Sequence, residues 1–542
     1  MSANKGISTE EVVRAFAAEG GNFAAVARRL GITRSTAQHH LRKAGMLDKP
    51  LAGGRVQERQ RVVRALPPKG QIFRYIISSA QSCTKVHPQV VDNIEALADY
   101  YGAEIIVGRF TYNQNAFGRL SVKPGTEKKK ESELWYDPAL EFYYCDDHVQ
   151  LAPGLVYCGE MNTLPTAGDP LSGFEAYTGR SSGIFPHVKL AKRSIPSDIE
   201  GATKFNYTTG TLTQRNYIQK TAGLKAEFHH VYGALLVEVD DQGNWWVRQL
   251  NADSKARIYD LTLLVDKGVV YDVAGEGVEA INWGDVHLEW SDPVARRISW
   301  GPGGVLDLLR PRYQFMHDLV DPPRNHHDMK DPHRQFEQFC EGRENMQGMM
   351  QNVATFLGEE SYRDFCETVV VESNHDAMVE RWLREADYRK DPVNAIFFLE
   401  LQLQKYKAIR AKDKRFHLCE WAARHLGCPE DVRWLRLGDP FIICPDAKEG
   451  IQCTYHGHKG PRGAKGTPRA FARMGRRVNV GHVHGSGIWD SVYAAGTMSL
   501  LTLPYSVGAP SDWSHTIIIT YPNGKRALAT YWAGKPWAEW EG

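Results

Sequence analysis

The sequence predicts an α/β protein that begins with a small all-helical domain. Three observations indicate this class. Residues 8–46 have the apolar spacing of short helices, and from Gln71 onward strand-like and helix-like patterns alternate. In the C-terminal half, five apolar segments each run directly into polar side chains. The length of 542 residues corresponds to roughly two to four domains.

Composition excludes several classes of protein. With 42% hydrophobic and 24% charged residues, the chain is not an intrinsically disordered or collagen-like sequence. It has no apolar run of about 18 residues, and its first residues lack the apolar core of a secretory signal. Nine cysteines without a CxxC pair are typical of reduced thiols. We therefore expect a cytoplasmic protein with no membrane partner.

Residues 1–46 are predicted to form three short helices. Ser8-Thr9 can cap the first, Gly20-Gly21 ends it, and Gly31-Ile32-Thr33 makes a turn before a helix from Arg34 to Lys43. This order resembles helix-turn-helix DNA-binding domains, with a three-helix bundle that binds protein as the alternative. The side chains expected to meet DNA are Arg34, Ser35, Gln38, His39 and Arg42.

The N-terminal segment is strongly basic. Residues 1–70 hold 13 Lys and Arg against 5 Asp and Glu, although the whole chain carries only +2. Such asymmetry indicates a segment that binds a polyanion, and a solvated basic linker is the alternative. Within it, residues 47–70 contain Pro50, Gly53-Gly54 and Pro67-Pro68, which predict a basic linker.

Residues 71–275 are predicted to form an α/β domain of unknown role. Its expected elements include a strand at Ile72–Ile77, an amphipathic helix at His87–Tyr101 and further strands at Ala103–Val107, Ala234–Val239 and Trp245–Leu250. Three histidines of this region show no spacing typical of metal ligands, so we interpret them as structural or surface residues: His148, His229 and His230.

Five segments of the C-terminal half repeat one arrangement, in which an apolar strand is followed at once by polar side chains. Open α/β sheets build their sites at the carboxyl ends of strands. In two segments the polar residues are two apart, so both point to one side of an extended chain. These side chains supply carboxylate, amide and imidazole ligands without thiolates, which suits a pair of divalent metals. The predicted ligands are Asp285, His287, Asp318, Asn374, His456, His482 and His484.

The order of these motifs resembles the calcineurin-like metallophosphoesterase superfamily, over nearly half of the chain. The resemblance implies a four-layer α/β/β/α domain at residues 276–542 and two metals bridged by Asp318. It assigns Asp285, His287 and His484 to one metal, and Asn374, His456 and His482 to the other. It further implies that His375 is not a ligand but protonates the leaving oxygen, and that Asp376 steadies it.

The sequence departs from that pattern at three places. His317 stands where the family has Gly, Pro322-Pro323 stands where phosphoprotein phosphatases have Arg-Gly, and Ser373 replaces Gly without a preceding Arg. The missing arginines argue against a phosphoprotein phosphatase and favour the phosphodiesterase and nuclease branches. Asp321 is interpreted as structural.

Two segments near the predicted metals are candidates for substrate contact. Seven cations and no acidic residue lie between His456 and His482, which suggests a track for a phosphate backbone, with a solvated basic face as the alternative. The expected nucleic-acid contacts there are Lys459, Arg462 and Lys465. The other candidate substrate contacts, which the sequence does not separate from groups that support metal ligands, are Arg324, Asn325, His326, His327 and His458.

Two further elements complete the C-terminal region. A helical insertion is predicted at about residues 377–440, where it would cover the site, form an oligomer contact or simply pack. Pro522-Asn523-Gly524 between strands at Thr516–Thr520 and Arg526–Tyr531 predicts a hairpin.

As a whole, the chain resembles helix-turn-helix-containing phage metallophosphoesterases related to the DNA-transfer nuclease of T5-like phages. The segments that carry this resemblance are LSGFEAYTG, AEFHHVYGA, RNHHD, HGHKGPRGAKG and GHVHGSGIWDSVYAAGT. It implies a nuclease of the host cytoplasm that degrades host DNA or acts in DNA transfer.

We expect DNA as the partner and two divalent ions as cofactors. Mn²⁺ is the expected ion, with Mg²⁺, Fe²⁺ and Zn²⁺ as alternatives. A homo-oligomer and other phage or host proteins remain open as partners. The alternative functions are a phosphodiesterase acting on a small, cyclic-nucleotide-like ester, and a DNA-binding regulator with a structural metal fold.

Overall fold

The computed structural model describes residues 7–18, 26, 29–32, 34–46, 61–112, 135–198, 203–325, 330–447 and 450–540. It confirms the α/β class, because helices and several sheets share the described residues.

Strands and helices are numbered separately, each in chain order. The strands are β1 (Arg61–Val63), β2 (Phe73–Gln81), β3 (Glu104–Phe110), β4 (His148–Ala152), β5 (Leu155–Cys158), β6 (Ser182–Phe185), β7 (Lys192–Ile195), β8 (Lys204–Thr208), β9 (Gly233–Val239), β10 (Trp245–Asn251), β11 (Ile258–Asp260), β12 (Leu263–Asp266), β13 (Val269–Asp272), β14 (Ala280–Asp285), β15 (Tyr313–His317), β16 (Glu367–Val371), β17 (Arg433–Leu435), β18 (Ile442–Ile443), β19 (Ile451–Gln452), β20 (Val478–Val480), β21 (Gly487–Trp489), β22 (Val492–Ala494), β23 (Thr516–Thr520) and β24 (Arg526–Thr530). The helices are α1 (Thr9–Ala18), α2 (Arg34–Lys43), α3 (Pro88–Tyr101), α4 (Thr221–Phe228), α5 (Pro293–Trp300), α6 (Val305–Leu309), α7 (Pro332–Cys340), α8 (Met346–Thr355), α9 (Asn374–Glu385), α10 (Ala395–Ala411), α11 (Leu418–His425) and α12 (Pro468–Ala472).

The N-terminal helices α1 and α2 pack on each other as predicted. Their buried contacts come from Val12, Ala15, Ala37 and Leu41, together with Val26. Gly31 has a φ of 62°, a left-handed conformation that glycine adopts without steric cost, which explains the turn before α2. The predicted second helix lies partly outside the described residues.

A four-stranded sheet in the order β10-β9-β2-β3 forms the centre of the middle region. The predicted strands and helix are confirmed here, and His87 caps α3 rather than starting it. One face of the sheet packs on α3 through residues such as Ile76 and Ile94, and the other packs on the largest sheet through residues such as Ile77 and Tyr157.

The largest sheet has eleven strands in the order β1-β4-β5-β6-β8-β7-β21-β22-β20-β19-β18. Its pairing of β7 with β21 joins strands from both sides of the predicted domain boundary at residue 275. Strand β1 falls inside the predicted linker and pairs in parallel with β4. This sheet is therefore shared by the middle and C-terminal regions, and the pairing that joins them is too distant in sequence to be predicted from local pattern.

The six-stranded sheet has the order β17-β16-β15-β14-β23-β24, and β14 to β17 run parallel. The predicted hairpin of β23 and β24 closes one edge, with Gly524 at a φ of 71° in its turn. One face packs on β18 to β22 of the largest sheet, and the opposite face packs on helices that include the insertion helices α9, α10 and α11. The strands alternate their side chains between these two cores, as Ala280 and Ile281 do.

Candidate metal centre

The predicted ligands meet where two sheets face each other. Strands β14, β15 and β16 end at this place in the six-stranded sheet, and β19 and β20 end there in the largest sheet. Each of the predicted ligands comes at or soon after one of these five strand ends. Asp285, His287, Asp318, His456 and His484 are each at most 6% exposed. The structure thus brings together side chains that are up to 199 positions apart in the chain.

Four of these residues have a left-handed backbone conformation. The φ angles are 47° at His287, 44° at Asp318, 70° at His482 and 53° at His484. Non-glycine residues adopt this conformation at a steric cost, and such strain is concentrated where side chains must be aimed at a functional site. The chain turns sharply after β14, β15 and β20 and thereby directs these side chains to one point.

The first cluster contains Asp285, His287 and His484, whose ligand atoms lie within 4.8 Å of one another. Asp285 Oδ2 is 2.9 Å from His484 Nε2, and the Nε2 atoms of His287 and His484 are 3.1 Å apart. At most one of these two facing nitrogens can donate to the other, so a cation would satisfy both.

The second cluster contains Asp318, His456 and His482, again with ligand atoms within 4.8 Å. His456 Nε2 lies 3.2 Å from Asp318 Oδ2 and 2.9 Å from Asn374 Oδ1. Asn374 is the first residue of α9, which follows β16. This cluster therefore brings a carboxylate, an amide oxygen and two imidazoles together.

The two clusters are adjacent. His456 Nδ1 lies 3.7 Å from Asp285 Oδ1, and His287 Nε2 lies 4.0 Å from Asp318 Oδ2. The backbone N–H of His482 also donates to Asp285 Oδ1 at 2.9 Å. Asp318 therefore reaches both groups, as a carboxylate that bridges two ions must.

The chemistry of the donor set fits divalent metals. Asp318 Oδ1, His456 Nδ1 and His484 Nδ1 are buried without a hydrogen-bond partner among the described residues. Burial raises the pKa of Asp285 and Asp318, but neighbouring imidazoles outweigh it and hold both pKa values below the usual range. Burial lowers the pKa of His456, while Asp318 and Asp285 raise it by more, so the net shift is upward. Ionised carboxylates next to buried imidazoles are a favourable environment for a cation.

His375, the predicted acid, lies beside these clusters. Its Nδ1 donates to the carbonyl of Val320 at 2.9 Å and is 3.2 Å from Asp321 Oδ1. Its Nε2 lies 4.0 Å from Asp318 Oδ2, so that Asp318, His287 and His375 also satisfy the spacing of metal ligands. Burial opposes protonation, but the carboxylates of Asp318 and Asp321 raise the pKa of His375 to about 10.

The expected support of His375 by Asp376 requires a correction. Asp376 Oδ2 accepts the backbone N–H of Ser373 at 2.7 Å, and Ser373 caps α9 in return, so this pair forms a capping box. The carboxylate beside the His375 ring belongs to Asp321, which also accepts from His287 Nδ1 at 2.9 Å. The sequence alone favours a structural role for Asp321, and its position three residues after Asp318 is the only local signal for this contact.

His317 is the residue that replaces glycine in the second motif. It is fully buried, its ring lies 5.6 Å from that of His456, and neither ring nitrogen has a hydrogen-bond partner among the described residues. Burial, together with the neighbouring His456, lowers the pKa of His317 to about 4. A Cβ on Gly481 would lie closest to Asp285 Oδ1 and 3.2 Å from His317 Cγ, so the glycine before His482 makes room for both side chains.

The candidate substrate contacts are placed differently from one another. Arg324 is buried, and its guanidinium donates to Asp391 Oδ2 and Gln338 Oε1, both at 2.8 Å, so it holds the insertion rather than facing a substrate. Asn325 donates to the carbonyl of Pro322 at 3.3 Å. The His458 ring lies 5.3 Å from that of His456, next to the second cluster. His326 and His327 lie outside the described residues.

The predicted basic track is a loop and short helix at the surface. Lys459, Arg462 and Lys465 are exposed. The backbones of Lys459 and Lys465 pair in an isolated antiparallel β-bridge that closes the loop between them. Farther along, Arg469 pairs with Asp169 of the middle region. In α2, His39 is exposed. For four further residues with the same prediction the structure describes the backbone but not the side chain, namely Arg34, Ser35, Gln38 and Arg42.

Comparison with known proteins finds a relative in a T5-like phage. Over 475 residues, 85% of this chain and 82% of the relative, the sequence is 37% identical to protein A1 of Escherichia phage T5. The chain belongs to the family of protein A1. This confirms the predicted relation to a T5-like phage protein, and it assigns no activity by itself. No protein-family model and no solved structure matches the chain. Among the described residues of this protein A1 relative, no helix combines the length and apolarity needed to cross a membrane.

Proposed function

We propose that this member of the protein A1 family is a dinuclear-metal phosphodiesterase of the calcineurin-like type that hydrolyses DNA. The observation that carries the proposal is the pair of His/Asp clusters that meet at Asp318, with His375 beside them. One ion would be held by Asp285, His287, Asp318 and His484, and the other by Asp318, Asn374, His456 and His482. Two such ions, when bound, supply an activated water and neutralise the phosphoryl oxygens during in-line displacement.

The residues of the chain itself supply the proton for the leaving group. Because Nδ1 of His375 is engaged by Val320 and Asp321, Nε2 is the atom that carries the transferable proton. Asp321 keeps the ring oriented and protonated, so that the leaving alkoxide takes a proton from Nε2. Asp376 contributes only indirectly, by capping the helix that carries His375.

Two features favour a nucleic-acid phosphodiester over a phosphoprotein. The site has no arginine in the positions that hold a terminal phosphate, and the guanidinium of Arg324 is engaged by Asp391 and Gln338. The exposed cations of the loop at Lys459–Lys465 follow directly after His456 and suit a polyanionic backbone. The helix α2, whose sequence RSTAQHHLRK holds basic residues and no acidic one, is the second candidate surface for DNA.

The test is Mn²⁺-dependent cleavage of linear and circular double-stranded DNA by the full chain, with bis-p-nitrophenyl phosphate measured in parallel. We expect cleavage of DNA that His375→Ala abolishes and that His333→Ala, a change of an exposed histidine, leaves intact. Turnover of the small ester without any cleavage of DNA would instead favour a small-molecule phosphodiesterase. No turnover of either substrate would contradict the proposal.

A further inference from the structure

A second group of metal-binding side chains lies in the middle region, away from the centre at Asp318. His148 on β4 and Cys158 on β5 are directly opposite each other in an antiparallel pair, so their side chains share a face. Glu160 is two residues beyond Cys158, in the turn that follows β5. The ligand atoms of these three residues lie within 4.8 Å of one another.

The contacts of the Glu160 carboxylate favour a bound cation. It is 7% exposed, and its Oε1 lies 2.8 Å from His148 Nδ1 and accepts the Tyr177 hydroxyl, also at 2.8 Å. Its Oε2 is buried and has no hydrogen-bond partner among the described residues. A buried carboxylate oxygen without a donor is unfavourable, and a cation at this position would satisfy it.

We propose that His148, Cys158 and Glu160 bind a Zn²⁺ ion at a site separate from the centre at Asp318. One sulfur, one imidazole and one carboxylate form a borderline-soft set that zinc prefers, whereas the other centre has no thiol among its ligands. On binding, the Cys158 thiol releases its proton to solvent and coordinates as thiolate.

The surroundings fit a structural ion with one position open to water. The side chain of His148 is 25% exposed while Cys158 and Glu160 are buried, so the ion would enter from the His148 side. Tyr177 lies in the loop between β5 and β6, and its hydroxyl fixes the Glu160 carboxylate. The ion would therefore hold the β4–β5 hairpin to that loop.

The test uses Co²⁺ as a spectroscopic substitute in the full chain, because a thiolate ligand gives a sulfur-to-cobalt charge-transfer band that nitrogen and oxygen ligands do not. We expect this band in the wild type, with one equivalent displaced by Zn²⁺. Cys158→Ser should remove it, and Cys366→Ser, which replaces a cysteine that is also buried, should retain it.

His148→Ala provides the second variant, because His148 is partly exposed and its loss is less disruptive to folding. We expect at least about a 10-fold weaker affinity for Zn²⁺ in this variant, measured by competition with a chelating dye. Absence of the band in the wild type would overturn the proposal and leave the three side chains as an ordinary hydrogen-bonded group. Persistence of the band in Cys158→Ser would overturn it equally.

Discussion

Asp321 Oδ1 lies 2.9 Å from His287 Nδ1, on the side of the imidazole ring opposite the Nε2 that faces His484. A carboxylate in this position fixes the tautomer of a metal-binding histidine and strengthens it as a ligand. The same carboxylate lies beside His375, so one residue orients both a proposed ligand and the proposed acid.

Asp321→Asn is therefore expected to weaken metal binding and cleavage together. We expect Mn²⁺ affinity to fall by about 10–100-fold, because the amide no longer holds His287 in the required tautomer. Titration calorimetry with Mn²⁺ measures this, and Asp198→Asn, at an exposed aspartate, is the matched control. Unchanged affinity in Asp321→Asn would show that the contact is only structural.

The contrast between Asp321 and Asp376 illustrates what the sequence could predict. The predicted ligands after β14, β15 and β16 could be inferred from the order of residues along the chain, because a strand end fixes where the next polar residue lies. The partner of His375 depends on how two strand-end turns approach each other, which local order does not contain. The adjacent Asp376 is occupied instead by the cap of its own helix.

The cluster of His148, Cys158 and Glu160 and the shared eleven-stranded sheet could not be predicted from the sequence, for a related reason. His148 and Cys158 meet through strand register, and spacing along the chain gave no signal for it. The pairing of β7 with β21 likewise joins segments almost 300 residues apart. The α/β class, the hairpin of β23 and β24 and the helices α1 to α3 were predictable because short-range periodicity determines them.

A comparison of His375→Ala with Asp318→Ala tests the separate roles of these residues. His375→Ala should keep both metal equivalents and lower DNA cleavage by about 10²–10⁴-fold, because only the proton donor is removed. Asp318→Ala should lose bound metal as well, since that carboxylate belongs to the second cluster and lies 4.0 Å from His287 of the first. Metal analysis after gel filtration measures the difference, and equal metal loss in the two variants would contradict this division of roles.

Asp376→Ala should affect stability more than chemistry. Removing half of the capping box leaves the Ser373 N–H without its acceptor, which costs about 1 kcal/mol of folding free energy. Thermal unfolding should shift to lower temperature while Mn²⁺ affinity is retained. A loss of affinity as large as that in Asp321→Asn would instead place Asp376 in the metal centre.

The basic loop should contribute to DNA binding through charge alone. Replacing Lys459, Arg462 and Lys465 by Ala should weaken DNA binding and reduce the slope of log affinity against log salt by up to about 3, because each phosphate contact contributes about 0.9. Turnover of bis-p-nitrophenyl phosphate should stay unchanged. The matched control replaces Lys407, Arg410 and Lys414, which are also exposed and lie on the insertion, and an equal effect there would argue for non-specific attraction.

His187 should make the protein less stable as the pH falls. It is fully buried, accepts the Lys189 N–H at Nδ1 and contacts the Leu164 carbonyl through Nε2, both at 3.1 Å, so the fold requires the neutral ring. Burial lowers the pKa of His187 to about 4 in the folded protein, against 6.5 for the ordinary group.

Between pH 6.5 and pH 4, His187 binds a proton in the unfolded chain but not in the folded chain. The stability that the neutral ring contributes is therefore present above pH 6.5 and is lost as the pH falls toward 4. Over that window the loss is about 3 kcal/mol at most, from 1.36 kcal/mol per pKa unit. Denaturant unfolding at pH 7 and pH 5 should therefore show a smaller pH effect in His187→Asn than in the wild type. An identical pH effect in both proteins would mean that His187 is protonated in the folded state or does not contribute.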